Sequence, residues 1–101
     1  MDYPLVKRVS HRLFGEMLRM MLSERVYFDL TLEEGRTLSR NFTAVAFDWR
    51  RVDFLYLSPL GGDGEFSAAV RQDGVHVETA DGAHHLTWDD VTELAERLAV
   101  V

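Results

Sequence analysis

The sequence predicts an α+β fold: an N-terminal helix, an antiparallel meander of about five strands and a C-terminal helix, with both helices packed on one face of the sheet. Three observations support this fold class. The N-terminal segment is rich in apolar residues, the middle of the chain alternates polar and apolar positions, and the last segment begins with a helix-capping pattern. At 101 residues, the chain has the length of one domain, which we assign to residues 1–101.

The first predicted element is a helix from Pro4 to about Ser23. Proline suits the first helical turn, and three arginines of this segment share a narrow polar strip. The apolar residues cover well over half of the helix circumference, which is more than one sheet face can bury. We therefore expect this surface to pack against another part of the chain or against another chain. The candidate interface residues are Val9, Leu13, Met17, Met20 and Met21.

Alternation of polar and apolar residues predicts the first strands. Arg25–Glu33 alternates strictly, as in a half-buried strand, and Glu34-Gly35 then begins a turn. A second strand is predicted from about Thr37 to Phe47, although Phe42–Arg51 can also be interpreted as a short helix. Val52–Ser58 is apolar and aromatic, which is typical of a central strand.

The segment from Phe66 to Thr87 carries two hairpin signals. Asp73-Gly74 and Asp81-Gly82 are two-residue turn sequences flanked by alternating residues. Loops at these positions would set Val70 opposite Val77, and Val77 opposite Leu86. The predicted buried face then consists of Phe66, Ala68, Val70, Val75, Val77 and Leu86. The predicted polar face consists of Ser67, Arg71, His76, Glu78, His85 and Thr87.

A helix follows this meander. Thr87 and Asp90 have the spacing of a capping box, with Asp in place of the usual Glu or Gln. The apolar stripe of the predicted helix comprises Trp88, Val91, Leu94, Ala95 and Leu98.

Composition narrows the functional classes. The chain has no cysteine, which excludes disulfides, thiol catalysis and cysteine-ligated metal centres. Its net charge of −6 disfavours general nucleic-acid binding, because phosphate contacts need a basic surface. Residues 1–51 carry a charge of +2 and residues 52–101 a charge of −8, which favours pairing with itself or with a charged partner. No apolar run resembles a signal peptide or a membrane span, so we expect a cytoplasmic protein without membrane partners.

Two histidines and a glutamate on the predicted polar face form a candidate metal site. With a turn at Asp81-Gly82, Glu78 would lie directly opposite His85, and His76 would lie two residues along the same strand. Imidazole nitrogens and carboxylate oxygens are ligands for zinc and other divalent metals. The alternative is a solvated sheet face on which Arg71 and Glu78 form a cross-strand ion pair.

No catalytic serine, histidine and aspartate set can be defended from the spacing. We therefore expect a non-enzymatic protein-interaction or accessory domain, such as an adaptor, a chaperone or an immunity-like protein, that forms a homodimer through the N-terminal helix and needs no cofactor. A different hypothesis is a small metal-binding domain or metal-dependent enzyme that uses His76, Glu78 and His85. A third is a binder of small ligands, with a pocket lined by Phe28, Phe42, Phe54, Tyr56 and Trp88.

Overall fold

The computed structural model describes residues 3–61, 64–80 and 82–99. In chain order the elements are β1 (Leu5–His11), β2 (Gly15–Met21), β3 (Tyr27–Leu30), α1 (Leu32–Phe47), β4 (Phe54–Leu57), β5 (Phe66–Arg71), β6 (Gly74–Thr79), β7 (Gly82–Leu86) and α2 (Trp88–Leu98). The α+β class is confirmed. The single five-stranded meander is wrong, because the strands form two antiparallel sheets with the orders β1-β2-β3 and β4-β5-β6-β7.

The predicted helix over Pro4–Ser23 is also wrong, because this segment forms the β1–β2 hairpin. Gly15 begins β2 with a φ of +74°, a left-handed conformation that glycine adopts without a steric penalty. Along β2, Leu18 and Met20 belong to the core, while Met17 is buried on the opposite face of the strand. A strand covered on both faces has a nearly continuous apolar sequence, which explains the wide apolar arc of the predicted helix.

Helix α1 occupies the segment in which the strand Thr37–Phe47 was predicted. The helix begins at a capping box: the Thr31 hydroxyl accepts a hydrogen bond from the Glu34 N–H, and the Glu34 carboxylate accepts one from the Thr31 N–H. The predicted turn at Glu34-Gly35 is therefore the first turn of a helix. The alternative helix over Phe42–Arg51 covers the end of α1 and the 3-10 turn that follows it at Trp49–Arg51.

The two hairpins of β5, β6 and β7 are confirmed, with a register two residues away from the predicted one. Val70 lies opposite Val75, and Val75 lies opposite Leu86. A shift of two residues keeps every side chain on its face, so the predicted buried face is correct, and its six members are at most 7% exposed. Asp81, which belongs to the second predicted turn, lies outside the described residues. The capping box of Thr87 and Asp90 at the start of α2 is also confirmed.

One hydrophobic core joins both sheets and both helices. The helices pack on each other, and the buried Ser39 hydroxyl of α1 donates a hydrogen bond to the Ala95 carbonyl of α2 at 2.6 Å. The Phe66 ring of β5 contacts Phe28 of β3 and Phe42 of α1, with centroid distances of 5.3 and 5.9 Å. The core therefore covers one face of the four-stranded sheet and leaves its other face to solvent.

Candidate functional site

The candidate functional site is the outer face of the four-stranded sheet, the face that points away from the core. The register places four side chains directly opposite one another in a row across the strands: Phe54, Ala69, His76 and His85. Tyr56 and Ser67 form the next pair of β4 and β5 on the same face. The outer face therefore has aromatic residues at its β4 edge and histidines toward its β7 edge.

Asp73, in the turn between β5 and β6, contacts both histidines. His76 Nε2 lies 2.9 Å from Asp73 Oδ1, and His85 Nε2 lies 2.8 Å from the Asp73 carbonyl oxygen and 3.6 Å from Oδ2. Because a carbonyl oxygen only accepts, His85 Nε2 carries the hydrogen in this arrangement. The two imidazole rings stack with centroids 4.5 Å apart and an interplanar angle of 17°. The network thus ties the β5–β6 turn to the last two strands.

Two further contacts hold this turn independently of the histidines. The Trp88 indole N–H, at the start of α2, donates to the Gln72 carbonyl oxygen at 2.8 Å. Gly74 adopts a φ of +137°, and a Cβ at this position would lie only 2.0 Å from the Leu86 carbonyl oxygen. The turn therefore requires glycine, both for its backbone conformation and for its close approach to β7.

The histidines also change the acidity of Asp73. The hydrogen bond with His76 lowers the pKa of this carboxyl below its ordinary value of 3.8; desolvation partly opposes this effect, and the charges of His76 and His85 add to it. At neutral pH, Asp73 therefore presents an ionised carboxylate to two imidazoles.

The structure brings two of the three predicted metal ligands together, and Glu78 lies apart from them. Glu78 is exposed and lies opposite Ala83, because the observed register puts His76 opposite His85. Within the described part of the chain, the group of histidine and acidic side chains whose donor atoms lie within 4.8 Å of one another is Asp73, His76 and His85. Asp73 is not among the predicted ligands, because the pattern at Asp73-Gly74 indicates only a turn. A turn carboxylate three residues before a strand histidine is the signal that could have identified it.

The β4 edge is the second feature of the outer face. Phe54 and Tyr56 are 50% and 54% exposed, and among the described residues β4 pairs with β5 alone. The Glu65 carboxylate raises the pKa of Tyr56 above its ordinary value, mainly through side-chain hydrogen bonding. The other three edge strands carry basic, acidic or imidazole side chains: Lys7 and Arg8 on β1, Asp29 on β3, and His84 and His85 on β7. The four residues of β4, Phe-Leu-Tyr-Leu, carry no charged side chain, and the acidic Asp53 precedes them.

The predicted interface residues lie on the β1–β2 hairpin instead of a helix. Met17 and Met20 have no exposed surface, and Met21 is 9% exposed. Met17 packs so closely under Gly61 that a Cβ on this glycine would lie 2.5 Å from the methionine Cε. Val9 is half-buried, and Leu13, in the hairpin turn, is 83% exposed. The three methionines therefore make their contacts within the chain.

The aromatic residues that were considered as a ligand pocket are divided between two sides of the sheet. Phe28 and Phe42 pack around Phe66 in the core, whereas Phe54 and Tyr56 belong to the outer face. These side chains therefore do not line a common cavity.

Comparison with family models, with curated proteins and with solved structures gave no match for this chain. Among the described residues, no helix combines the length and the apolar character that crossing a bilayer requires.

Proposed function

We propose that this chain is a protein-interaction domain that binds a second copy of itself through the free edge of β4. The observation that carries the proposal is an uncharged edge strand whose two outer-face side chains, Phe54 and Tyr56, are aromatic and half exposed. Edge strands that stay unpaired are usually protected by charges, prolines, bulges or a very short length, and β4, with four residues, is short. The β4 sequence has neither a charge nor a proline.

The backbone of β4 indicates how two copies would pair. The Val70 N–H donates to the Asp53 carbonyl oxygen at 2.9 Å, so the alternation of an antiparallel ladder directs the backbone groups of Asp53, Leu55 and Leu57 toward β5. The backbone groups of Phe54 and Tyr56 then point to the free edge. Phe54 and Tyr56 would therefore form the backbone hydrogen bonds with a second β4 strand.

The faces of the sheet restrict the register of this pairing. In a continuous sheet, residues opposite each other share a face, so Phe54 must meet a residue of the outer face. A two-fold axis at Leu55 satisfies this condition, because it sets Phe54 opposite Tyr56 of the partner subunit and Tyr56 opposite Phe54 of the partner subunit. The pairing would form about four backbone hydrogen bonds. It would also form two aromatic cross-strand pairs, each contributing about 0.2–1 kcal/mol.

A second copy is the occupant that suits this edge. Antiparallel pairing of one strand with itself is isologous, which is the symmetry of most homodimers. The strand brings no like charges together in this arrangement, and the aromatic side chains of both copies complement each other.

The test is light scattering coupled to size-exclusion chromatography, on untagged protein over a range of concentrations. We expect the wild-type chain, of 11.6 kDa, to approach twice this mass as the concentration rises. Phe54→Lys and Tyr56→Lys should remain monomeric, because a lysine on an edge strand opposes pairing. Both side chains are half exposed, so these variants should keep the folded far-ultraviolet circular dichroism spectrum of the wild type.

Leu13→Lys is the matched control, since it places the same charge on an apolar side chain that is 83% exposed and far along the chain from β4. This variant should dimerise as the wild type does. A wild-type chain that stays monomeric at every concentration would overturn the proposal. A dimer that survives both β4 variants and is lost in Leu13→Lys would move the interface to the β1–β2 turn.

A further inference from the structure

We propose that Asp73, His76 and His85 form a binding site for a divalent transition-metal ion, with Zn²⁺ as the ion that best suits the donors. Two imidazole nitrogens and one carboxylate oxygen are a donor set that zinc sites use. Imidazole ligands favour Zn²⁺ and Cu²⁺, whereas Mg²⁺ and Ca²⁺ prefer sites made of carboxylate, carbonyl and water oxygens. The site lies at the β5–β6 turn and the β7 edge, and it does not depend on pairing of β4.

The spacing of the donor atoms suits such an ion. Bonds of about 2.0–2.1 Å in tetrahedral geometry place the donor atoms about 3.3 Å apart. Asp73 Oδ1 lies 2.9 Å from His76 Nε2, Asp73 Oδ2 lies 3.6 Å from His85 Nε2, and one donor atom from each of the three residues lies within 4.8 Å of the other two. His76 and His85 are direct cross-strand partners, so the sheet itself fixes the separation of their backbones. Tilting of the stacked rings is then the movement that directs both Nε2 lone pairs to one ion.

Binding of a metal ion through Nε2 requires that the hydrogen on this nitrogen leave it. A neutral imidazole carries one N–H, which can shift from Nε2 to Nδ1 and free the Nε2 lone pair for a metal. Within the residues that the structure describes, no hydrogen bond uses Nδ1 of His76 or His85, and solvent can accept from it. Metal binding thus replaces two hydrogen bonds to Asp73 with three coordinate bonds.

The turn does not need these two hydrogen bonds to keep its shape. The Trp88–Gln72 hydrogen bond and the close packing of Gly74 against Leu86 both remain when the histidines change partners. The side chains of His76, His85 and Asp73 are 28%, 41% and 64% exposed, so an ion can reach them from solvent. Water would complete the coordination, as in zinc sites with three protein ligands.

The first test is isothermal titration calorimetry of untagged, chelator-treated protein with ZnCl₂ near neutral pH. We expect saturable binding of one ion per chain. His76→Asn and His85→Asn should weaken the affinity by at least about tenfold, since changes to residues that only support a metal ligand already cost about 10–100-fold. Asp73→Asn should also weaken it, because the amide oxygen carries no charge.

Two variants control for non-specific effects. Glu78→Gln removes an exposed carboxylate from the same strand as His76, and His84→Asn removes the histidine next to His85 on β7. Both should bind zinc as the wild type does. Equal affinity in His76→Asn and the wild type would overturn the proposal, as would the absence of saturable binding by the wild type.

A second measurement does not depend on the folding of any variant. Nitrogen-15 resonances of the histidine rings in the wild-type protein report which nitrogen binds the ion. Zinc should shift the Nε2 signals of His76 and His85 and leave the ring signals of His11 and His84 unchanged. Equal shifts at all four histidines would assign the binding to scattered surface sites and contradict the proposal.

Discussion

The Phe66 ring packs edge to face against Phe28 at a centroid distance of 5.3 Å, and this contact joins the four-stranded sheet to the three-stranded one. Phe66 has no exposed surface, and its ring also meets Phe42 of α1 at 5.9 Å. Aromatic pairs in this geometry add about 0.5–1.5 kcal/mol to the burial of their area. The packing of β3, α1 and β5, which are far apart in sequence, therefore depends on the Phe66 side chain.

Replacing Phe66 with alanine should lower the free energy of unfolding by about 3–5 kcal/mol, because it leaves a cavity where both sheets and α1 meet. Urea denaturation followed by circular dichroism measures this change. Phe47→Ala is the control, since Phe47 is 90% exposed and its replacement should change stability by less than about 0.5 kcal/mol. A loss below about 1 kcal/mol for Phe66→Ala would show that the two sheets are stable without this contact.

Gly74→Ala should destabilise the protein by more than about 1 kcal/mol, because a φ of +137° strains any residue with a side chain and a Cβ here would overlap the Leu86 carbonyl oxygen. Gly64→Ala provides the comparison, since a Cβ at Gly64 would have no atom within 4 Å. Thermal unfolding of the two variants separates a local steric effect from a general effect of replacing glycine. Similar melting temperatures for both variants would argue against the close approach of β6 and β7 at this point.

The C-terminal half of the fold could be predicted because its signals are local. The Asp73-Gly74 dipeptide, strict alternation and the spacing of Thr87 and Asp90 define turns, faces and a helix start without reference to the rest of the chain. The register of the strands was harder to predict from the sequence, since it depends on which two residues form each loop. This error of two residues preserved the faces and changed the neighbours, so Glu78 was paired with His85 in place of His76.

The N-terminal half could not be predicted because tertiary contacts decide it. Met17 and Met20 lie on opposite faces of β2, and both are buried, so β2 shows no alternation of polar and apolar residues. Gly15, in the middle of the predicted helix, was the local sign of a turn. The capping box of Thr31 and Glu34 was also present in the sequence, and it would have identified the start of α1.

The Asp73 carboxylate should make stability depend on pH in the acid range. Its pKa is lower in the folded chain than the ordinary value of 3.8, so the ionised group stabilises the fold above that value, and this contribution is lost as the pH falls through the lower folded pKa. Asp73→Asn should therefore be less stable than the wild type at about pH 5, and the difference should shrink toward about pH 2.5. Urea midpoints across this range measure the difference.

Glu78→Gln is the control for this pH dependence, because Glu78 lies on the same outer face and outside the cluster. It should not reproduce the acid-dependent difference seen for Asp73→Asn. A difference between wild type and Asp73→Asn that stays constant over the whole range would mean that the histidines stabilise the turn without the charge of Asp73.

Arg19 and Asp29 form a two-bond ion pair across β2 and β3, with Nε to Oδ1 at 2.7 Å and the terminal nitrogen to Oδ2 at 3.1 Å. The guanidinium also lies 4.2 Å from the centre of the Tyr27 ring, and its pKa is raised above the ordinary value, mainly by the hydrogen bonds to Asp29. Lysine offers a single ammonium group and loses the planar fork, so Arg19→Lys should lower the free energy of unfolding by about 1–2 kcal/mol.

Arg8→Lys makes the same exchange in the pair with Glu16, where both side chains are about half exposed, and should change stability by less than about 0.5 kcal/mol. Urea denaturation of both variants at low and high salt distinguishes the two pairs, since the less exposed pair with Asp29 is screened less. Equal effects of the two substitutions would mean that the fork geometry contributes nothing to the stability of the three-stranded sheet.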